Sequence, residues 1–155
     1  MGQRDDNERT ELAVNPLYMM EGMEALKTSS LFGQLNEAEL KTLFQAGERR
    51  VFQDGEELVK KGDDLDAFWV VVSGRVEVAR DGSSTEQGAA TFFGDRALAG
   101  TVPSPLSCRA VAEGEALRFS RASLVKLSRE FPKLGVKILW VLLENAYKNQ
   151  DSEED

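Results

Sequence analysis

Residues 51–78 read VFQDGEELVKKGDDLDAFWVVVSGRVEV, and this stretch decides the fold. Short runs rich in Val, Phe and Trp are separated in it by the turn dipeptides Asp54-Gly55, Gly62-Asp63 and Ser73-Gly74. β-Branched and aromatic side chains favour strands, and a glycine beside Asp or Ser favours a tight turn. Strand-forming runs that alternate with short turns predict antiparallel pairing.

The same pattern extends from Arg49 to Phe119. The clearest predicted strands are 68–73 and 75–80, and further turns are expected at Asp81-Gly82 and Glu113-Gly114. Apolar and charged residues alternate in the second strand, as in a half-buried strand: Val76 and Val78 against Arg75, Glu77 and Arg80. Many short strands joined by such turns predict an antiparallel β-roll of the jelly-roll type.

Two helices are expected before the strands. From Pro16 to Lys27 the apolar residues recur every three positions, which fits a short amphipathic helix with Pro16 near its start. These apolar residues are Leu17, Met20, Met23 and Leu26. The second helix is predicted to begin at Asn36, an N-cap with Glu39 three residues on, and to end at Gly47. Its predicted buried face consists of Leu40, Leu43 and Phe44.

Two further helices are expected after the strands. Ser120 is the predicted N-cap of the first, and Pro132 ends it or begins the next. Its predicted buried face consists of Leu124, Leu127 and Phe131. The last helix, from about 132 to 149, carries apolar residues on two sides. One side has Leu134, Ile138, Val141 and Leu142, and the other has Val136, Leu139, Trp140, Leu143 and Tyr147.

A helix that packs on one roll buries about one apolar stripe. The second side of the last helix is therefore predicted to form an interface with a second copy or with a different chain, through Trp140, Leu143 and Tyr147. One alternative is that the second stripe covers the ligand pocket. Another is that packing within the chain, with the N-terminal helix as cover, buries both stripes.

The sequence predicts one domain of the α+β class, mainly β: an antiparallel, jelly-roll-like β-roll flanked by N-terminal and C-terminal helices. Its 155 residues are enough to form one hydrophobic core and too few to form two of ordinary size. Residues 1–14 mix charges with few apolar side chains, so a disordered arm is expected there. Residues 15–30 are assigned to the N-terminal helix, 31–149 to the domain, and 150–155 to a solvated acidic tail.

Composition excludes several classes of function. Nineteen Lys and Arg against 27 Asp and Glu give a net charge of −8, which opposes binding to phosphate backbones, so no nucleic-acid partner is expected. The absence of histidine and the single cysteine exclude the usual zinc sites and histidine-activated nucleophiles, so we expect neither a metal nor an enzyme. The longest apolar run, 138–143, is too short to span a bilayer, and no secretion signal opens the chain. A cytoplasmic protein is expected.

The glycine turns and the strand between them resemble the cyclic nucleotide-binding β-roll family, over about 31–143. The matching residues are Gly55, Glu56, Gly62, Asp63, Phe68, Trp69, Ser73, Gly74 and Val76. The resemblance implies the same roll, with a ligand site in a phosphate-binding cassette. In the family this cassette reads Phe-Gly-Glu-Leu-Ala-Leu, followed by a short linker and an arginine.

Residues 92–110 read FFGDRALAGTVPSPLSCRA and are similar to the cassette in part. The residues that match are Phe93, Gly94, Ala97 and Leu98. Asp95 stands where the family has a glutamate that accepts from the ribose hydroxyl, and Arg96 replaces an apolar residue. When the alignment is anchored on Gly94 and on residues 107–110, the family's phosphate-binding arginine falls near Ser104, which carries no charge. The resemblance therefore implies at most weak binding of cyclic AMP or cyclic GMP.

Two arginines are candidates to replace the missing charge. Arg96 on the cassette helix and Arg109 on the following strand could turn toward the phosphate, although arginines at such positions more often face solvent or pair with acids. Asp95 could cap the cassette helix instead of meeting a ribose.

The favoured hypothesis is a non-catalytic regulatory module with a degenerate ligand site, which acts through a protein partner or as a homodimer in bacterial signalling. The alternative is a genuine sensor of a cyclic nucleotide or another small ligand, with an altered cassette. A transcription factor of this family would need a helix-turn-helix, and only six residues follow Asn149. That version is not expected.

Overall fold

The computed structural model describes residues 16–98 and 102–154. Its helices are α1 (Pro16–Thr28), α2 (Glu37–Ala46), a 3-10 helix (Asp95–Leu98), α3 (Arg121–Glu130) and α4 (Pro132–Glu154). Its strands are β1 (Glu48–Phe52), β2 (Glu57–Val59), β3 (Asp64–Leu65), β4 (Ala67–Ser73), β5 (Val76–Arg80), β6 (Ser83–Gln87), β7 (Phe92–Phe93), β8 (Val102–Pro103), β9 (Leu106–Ala110) and β10 (Gly114–Ser120). The arm predicted for residues 1–14 lies outside the described residues.

The strands form two four-stranded antiparallel sheets and one small ladder. The sheet orders are β1-β10-β4-β7 and β2-β9-β5-β6, and β3 pairs with β8. The predicted fold class is confirmed: an antiparallel roll with helices at both ends of the chain.

Strand β4 lies between two cores, and its first six residues alternate between them. Ala67, Trp69 and Val71 belong to the roll core, which also contains Phe52, Val59, Leu65, Val76, Val78, Phe93, Ala97, Leu106, Cys108, Ala110 and Ala116. Phe68, Val70 and Val72 belong to the helix-side core, which also contains Tyr18, Ala25, Leu26, Leu31, Phe32, Leu35, Leu40, Leu43, Leu117, Phe119, Leu127, Leu134 and Ile138. Burial on both faces explains why the sequence of β4 is continuously apolar.

The turn between β4 and β5 requires glycine. Gly74 has φ 86°, and a Cβ at this position would stand 2.7 Å from the carbonyl oxygen of Glu113. A larger residue would therefore meet both a strained backbone and a clash.

The predicted buried face of α1 was wrong in part. Leu17 is 63% exposed and Met20 is 69% exposed, whereas Leu26 is fully buried and Met23 is partly buried. The helix instead buries Tyr18, Gly22, Ala25 and Leu26. A spacing of three drifts around a helix of 3.6 residues per turn, so the predicted positions could not all stay on one face.

The second helix has the predicted capping box. The amide of Glu39 donates to Asn36 Oδ1 over 2.8 Å, and the amide of Asn36 donates to Glu39 Oε1 over 2.9 Å. Gly47 ends this helix with φ −86°, which is not the left-handed conformation. Glycine fits there because a Cβ would stand 2.9 Å from the ring of Phe119.

The last two helices follow the predicted boundaries with two differences. Ser120 caps α3 by accepting from the amide of Ser123, and Pro132 begins α4. Phe131, predicted on the buried face of α3, is 48% exposed because it lies beyond the last residue of that helix. Helix α4 continues past Asn149 to Glu154, through the segment that was assigned to a separate tail. None of the described helices is both long and apolar enough to span a membrane.

Candidate ligand site

The first half of the cassette is anchored in the roll core. Strand β7 pairs with β4, with Phe93 opposite Trp69, and the two rings stack 5.8 Å apart at 12°. Phe93 and Ala97 are 1% and 2% exposed. Both residues are therefore core side chains that fix the position of the turn between them.

Gly94 provides the sharp bend between β7 and the 3-10 helix. Its φ is 82°, and a Cβ would stand 2.6 Å from the carbonyl oxygen of Ala67. The carbonyl oxygen of Gly94 accepts from the amide of Ala97 over 3.0 Å and so closes the first turn. Leu98 ends the 3-10 helix.

Asp95 contacts the last helix. Its Oδ2 accepts from Asn145 Nδ2 of α4 over 3.3 Å. Asp95 is the first residue of the 3-10 helix, and the structure assigns it no capping hydrogen bond. The residue in the ribose-binding position thus links the cassette to α4.

Ser104, near which the sequence comparison predicts the family's arginine to fall, is 3% exposed, and its polar atoms are hydrogen-bonded. Its Oγ donates to the carbonyl of Leu106 over 2.6 Å and accepts from the amide of Leu106 over 3.2 Å. Its amide donates to Asp63, and its carbonyl accepts from Gly62. Ser104 therefore holds the β8–β9 connection against the β2–β3 turn.

The two arginines proposed from sequence lie on exposed surfaces. Arg109 is on the outer face of β9, since its neighbours Cys108 and Ala110 point into the roll core. It lies 3.7 Å from Glu77 on the adjacent strand, so the structure has the outward, acid-paired alternative and not the one in which Arg109 turns into the pocket. Arg96 is exposed on the 3-10 helix.

A family model described as the cyclic nucleotide-binding domain matches residues 49–131, which contain β1 to α3. The chain belongs to the cyclic nucleotide-binding domain family.

Relatives of this domain come from different kinds of protein. A regulatory subunit of cAMP-dependent protein kinase from Debaryomyces hansenii is 31% identical over 106 residues, which are 66% of this chain and 23% of that protein. A cyclic nucleotide-gated potassium channel from Rhizobium etli is 31% identical over 114 residues, which are 74% of this chain and 32% of the channel. A solved cyclic nucleotide-binding domain from Methylobacillus flagellatus has a TM-score of 0.73 and 25% identity, covering 88% of this chain and 79% of that chain. The chain spans about a quarter to a third of the length of the curated relatives it matches.

Arg80 is a candidate site residue that the sequence analysis did not single out; it is the last residue of β5 and is exposed, as expected. Residues two apart share a face, so Arg80 lies on the face of Val76 and Val78, which belong to the roll core. The alternation of side chains along a strand, which puts residue 80 on the same face as 76 and 78, was the sequence signal that could have identified Arg80. Arg80 lines a cleft of about 350 Å³ together with Thr28, Ser29, Ser30, Gln87, Ala89, Ala90, Thr91, Phe92 and Asp95. Its guanidinium makes no hydrogen bond or ion pair with any other residue that the structure describes.

The outer side of α4 is apolar and exposed in this cyclic nucleotide-binding domain. Trp140, Leu143 and Tyr147 are 61%, 58% and 68% exposed, and Val136 and Leu139 accompany them. The opposite side is packed: Leu134 and Ile138 are buried in the helix-side core, and Val141 and Leu142 pack against it. Packing within the described part of the chain thus covers one of the two predicted stripes.

The only cysteine has no catalytic environment. Cys108 is fully buried in the roll core, and burial raises its pKa to about 12. The thiol is therefore protonated at neutral pH and inaccessible to substrates.

Proposed function

We propose that this chain is a non-catalytic regulatory module with a degenerate cyclic nucleotide site, and that it acts through protein contacts in cytoplasmic signalling. The observation that carries the proposal is Ser104. Its hydroxyl stands in the arginine position and is already used by the backbone of Leu106.

The loss of the arginine decides the expected affinity. A cyclic phosphate carries a negative charge that must be paired when it leaves water. Loss of a charge-assisted contact of this kind costs about 2–5 kcal/mol, or roughly 30-fold to several thousand-fold in affinity. Ser104 offers no charge, and Arg109 is held on the outer face beside Glu77.

The exposed stripe of α4 supports the proposed mode of action. Five large apolar side chains that are each more than half exposed lie on one side of this helix: Val136, Leu139, Trp140, Leu143 and Tyr147. Contiguous exposed apolar surface is typical of interaction sites, and Trp and Tyr are frequent anchors there. The contact of Asn145 with Asp95 joins the same helix to the cassette.

Isothermal titration calorimetry with cyclic AMP and cyclic GMP tests the degenerate site. We expect no saturable heat below about 1 mM for either nucleotide, because the phosphate charge has no paired cation at position 104. A dissociation constant in the micromolar range would overturn the proposal.

One observation favours a second candidate, a sensor of a cyclic nucleotide or another small anion with an altered cassette. Arg80 has no acidic partner among the residues that the structure describes and lines a cleft together with Asp95. Its ladder partner Leu106 is two residues from Ser104. An arginine there could pair with an anionic group bound in this cleft.

The same titrations distinguish the two functions when they are repeated with R80A and R109A. If the wild type binds with micromolar affinity, R80A should weaken binding at least about tenfold, because a charge-assisted contact is lost. R109A is the matched control, since it removes a strand arginine that faces outward, and it should leave affinity unchanged. Equal affinities of R80A and wild type would exclude Arg80 as the binding cation.

A further inference from the structure

A groove of about 640 Å³ lies between α1, strand β4 and the segment that joins β6 to β7. Ala25 and Val72 line it and are 4% and 5% exposed, so this part of its lining is continuous with the apolar core. Leu17 and Met20 line it as well, but they are 63% and 69% exposed. The groove is therefore an apolar depression beside two large exposed apolar side chains.

The groove follows one side of α1. At 100° per residue, Leu26 lies on the opposite side of the helix from the groove and is fully buried. From residue 17 to residue 28 the groove side of the helix is about 17 Å long, or three turns. The residues of α1 that line the groove fall within an arc of about 140°: Leu17, Met20, Glu21, Glu24, Ala25 and Thr28.

A second cavity, of about 360 Å³, continues this groove past Leu17. The two cavities share Leu17, Glu21 and Ser73. The second cavity adds Val51 of β1, which is 42% exposed, and Glu113, which precedes β10. Together they form one surface, here called the α1 surface, whose exposed residues include Leu17, Met20, Glu21, Glu24, Val51 and Glu113.

Three carboxylates of the α1 surface have no cationic partner. Glu21, Glu24 and Glu113 are exposed, and none of them forms an ion pair with any other residue that the structure describes. Thr28 Oγ1 donates to Glu24 Oε1 over 3.2 Å, which leaves the charge of that carboxylate uncompensated.

The bases nearby do not neutralise these carboxylates. Among the described residues, the only base that lines either cavity is Arg49, and it is paired with Glu115. Lys27, the only base of α1, lines neither cavity. The α1 surface is therefore apolar and negatively charged, with the same sign as the net charge of −8 of the whole chain.

These two properties select the chemistry of the partner. An anionic ligand or membrane would meet three carboxylates and would be repelled at long range by the whole chain. A wholly apolar partner would remove the carboxylates from water without giving them a cation, which is costly. A segment with apolar side chains and neighbouring Lys or Arg satisfies both properties, and amphipathic helices bind in apolar grooves in this way.

We infer that the α1 surface binds a basic amphipathic segment of a partner protein. An apolar side chain of that segment packs over Ala25 and Val72, and its Lys or Arg side chains lie beside Glu21, Glu24 and Glu113. The inference rests on the proposed function only in that the chain acts through protein contacts. The α1 surface shares no residue with the exposed stripe of α4, so the two surfaces are tested separately.

Fluorescence anisotropy with a labelled model peptide tests the inference. The peptide has 14 residues of Leu and Lys, spaced to form an amphipathic helix of about 21 Å. We expect saturable binding that weakens as the salt concentration rises, because exposed ion pairs are screened by salt. A peptide with Glu in place of every Lys is the control for charge and should not bind.

The apolar part of the α1 surface is tested by the double variant Leu17→Ala/Met20→Ala. It should weaken binding of the Lys peptide at least about tenfold, because two side chains that would be covered by the peptide lose their apolar area. Val125→Ala/Phe131→Ala is the matched control, since it truncates two apolar side chains elsewhere that are 42% and 48% exposed. It should leave the affinity unchanged.

The charged part is tested by the double variant Glu21→Gln/Glu24→Gln. It should weaken binding at least about threefold at low salt and reduce the salt dependence, because two exposed ion pairs are lost. Glu130→Gln/Glu144→Gln removes the same number of exposed charges outside the α1 surface and is the matched control. It should leave the affinity unchanged.

Three results would overturn the inference. The first is no saturable binding of the Lys peptide up to about 1 mM, and the second is equal binding of the Lys and Glu peptides. The third is loss of binding in Leu139→Ala/Leu143→Ala but not in Leu17→Ala/Met20→Ala, which would place the peptide on α4. None of these results concerns the degenerate site, which the calorimetric titrations test. Micromolar affinity for a nucleotide would overturn the proposed function and leave this inference in place.

Discussion

At the scale of single residues, Ser104 has a structural role, because its hydrogen bonds join two neighbouring segments of the chain. Its backbone amide and carbonyl bond to Asp63 and Gly62, and its hydroxyl bonds to Leu106, so one residue joins the β2–β3 turn to strand β9. The sequence predicts that Ser104 stands near the position of the family's arginine. Only the structure shows what the serine does in its place.

Ser104→Ala is expected to destabilise the domain by about 1–3 kcal/mol, because the buried amide and carbonyl of Leu106 lose their partner. Urea denaturation followed by circular dichroism measures the change. Ser107→Ala, at a half-buried position nearby, is the matched control and should change stability by less than about 0.5 kcal/mol. Equal changes in the free energy of unfolding for the two variants would contradict a stabilising role for the Ser104 hydroxyl.

A second residue, Ala90, has a strained backbone. It is the only described residue other than glycine with positive φ, at 72°. It is held there because its amide donates to Val71 while the amide of Val71 donates to Thr91. No pattern in the sequence indicates this strain, since the ladder to β4 imposes it.

Ala90→Gly is expected to raise stability by about 0.5–1 kcal/mol. The left-handed conformation costs an L-residue about 1–2 kcal/mol, and the substitution removes this cost. Glycine loses more conformational entropy on folding, which offsets roughly half of the gain. Ala89→Gly is the control at a position without positive φ, and it should lower stability slightly. Thermal and urea denaturation measure both. A loss of stability in Ala90→Gly equal to that in Ala89→Gly would show that the position is not strained.

At the scale of elements, the capping box of α2 also anchors α4. Glu39 Oε1 accepts from the amide of Asn36 and from Lys137 Nζ, each over 2.9 Å. The hydrogen bond from the Asn36 amide, followed by that from Lys137, lowers the pKa of Glu39. The box itself was predictable from the spacing of Asn36 and Glu39, whereas the contact with a residue almost a hundred positions later was not.

Glu39→Gln is expected to lower stability by up to about 1 kcal/mol at pH 7, because it removes the charge while keeping an acceptor. A lowered folded-state pKa means that this stabilisation is full above the unfolded pKa of about 4.3. It is lost as pH falls through the folded value. The stability difference between Glu39→Gln and wild type should therefore vanish in acid. Urea denaturation between pH 3 and 7 measures it.

Glu130→Gln is the control for that experiment. Glu130 lies 4.0 Å from Lys126 on the surface of α3, with both side chains more than half exposed. The substitution should change stability by no more than about 0.5 kcal/mol at any pH. A difference for Glu39→Gln that persists at pH 3 would mean that packing, and not the charge, explains its effect.

At the scale of the whole molecule, α1 completes the helix-side core. It buries Tyr18 and Leu26 against the outer face of the β1-β10-β4-β7 sheet and against α2, and the rings of Tyr18 and Phe44 lie 5.4 Å apart. Gly22 permits close approach, since a Cβ there would stand 2.4 Å from the ring of Phe44. The N-terminal helix is therefore part of the folded unit.

Leu26→Ala is expected to destabilise the domain by about 2–5 kcal/mol, because Leu26 is fully buried and the change leaves a cavity. Leu17→Ala is the matched control on the same helix. Since Leu17 is 63% exposed, its truncation should change stability by less than about 0.5 kcal/mol. Urea denaturation measures both. Equal losses of stability for the two variants would show that Leu17 is buried, as the three-residue spacing predicted.

The sequence by itself determined the features that depend on near neighbours in the chain. The tight turns follow from glycines such as Gly74, the helix starts follow from the caps Asn36 and Ser120, and the cassette departs from its family at Ser104. Such signals are local because turn and cap hydrogen bonds join residues only a few positions apart. The family and the roll were predictable for the same reason.

The tertiary structure decided which side of each element is covered. It exposed Leu17 and buried Tyr18, brought Arg80 and Asp95 to one cleft, left Trp140 exposed, and joined Asp95 to Asn145. Burial depends on segments that are distant in sequence, and an apolar pattern on a short helix fits more than one face. A face becomes core only when another element packs against it, and that information lies in the assembled fold.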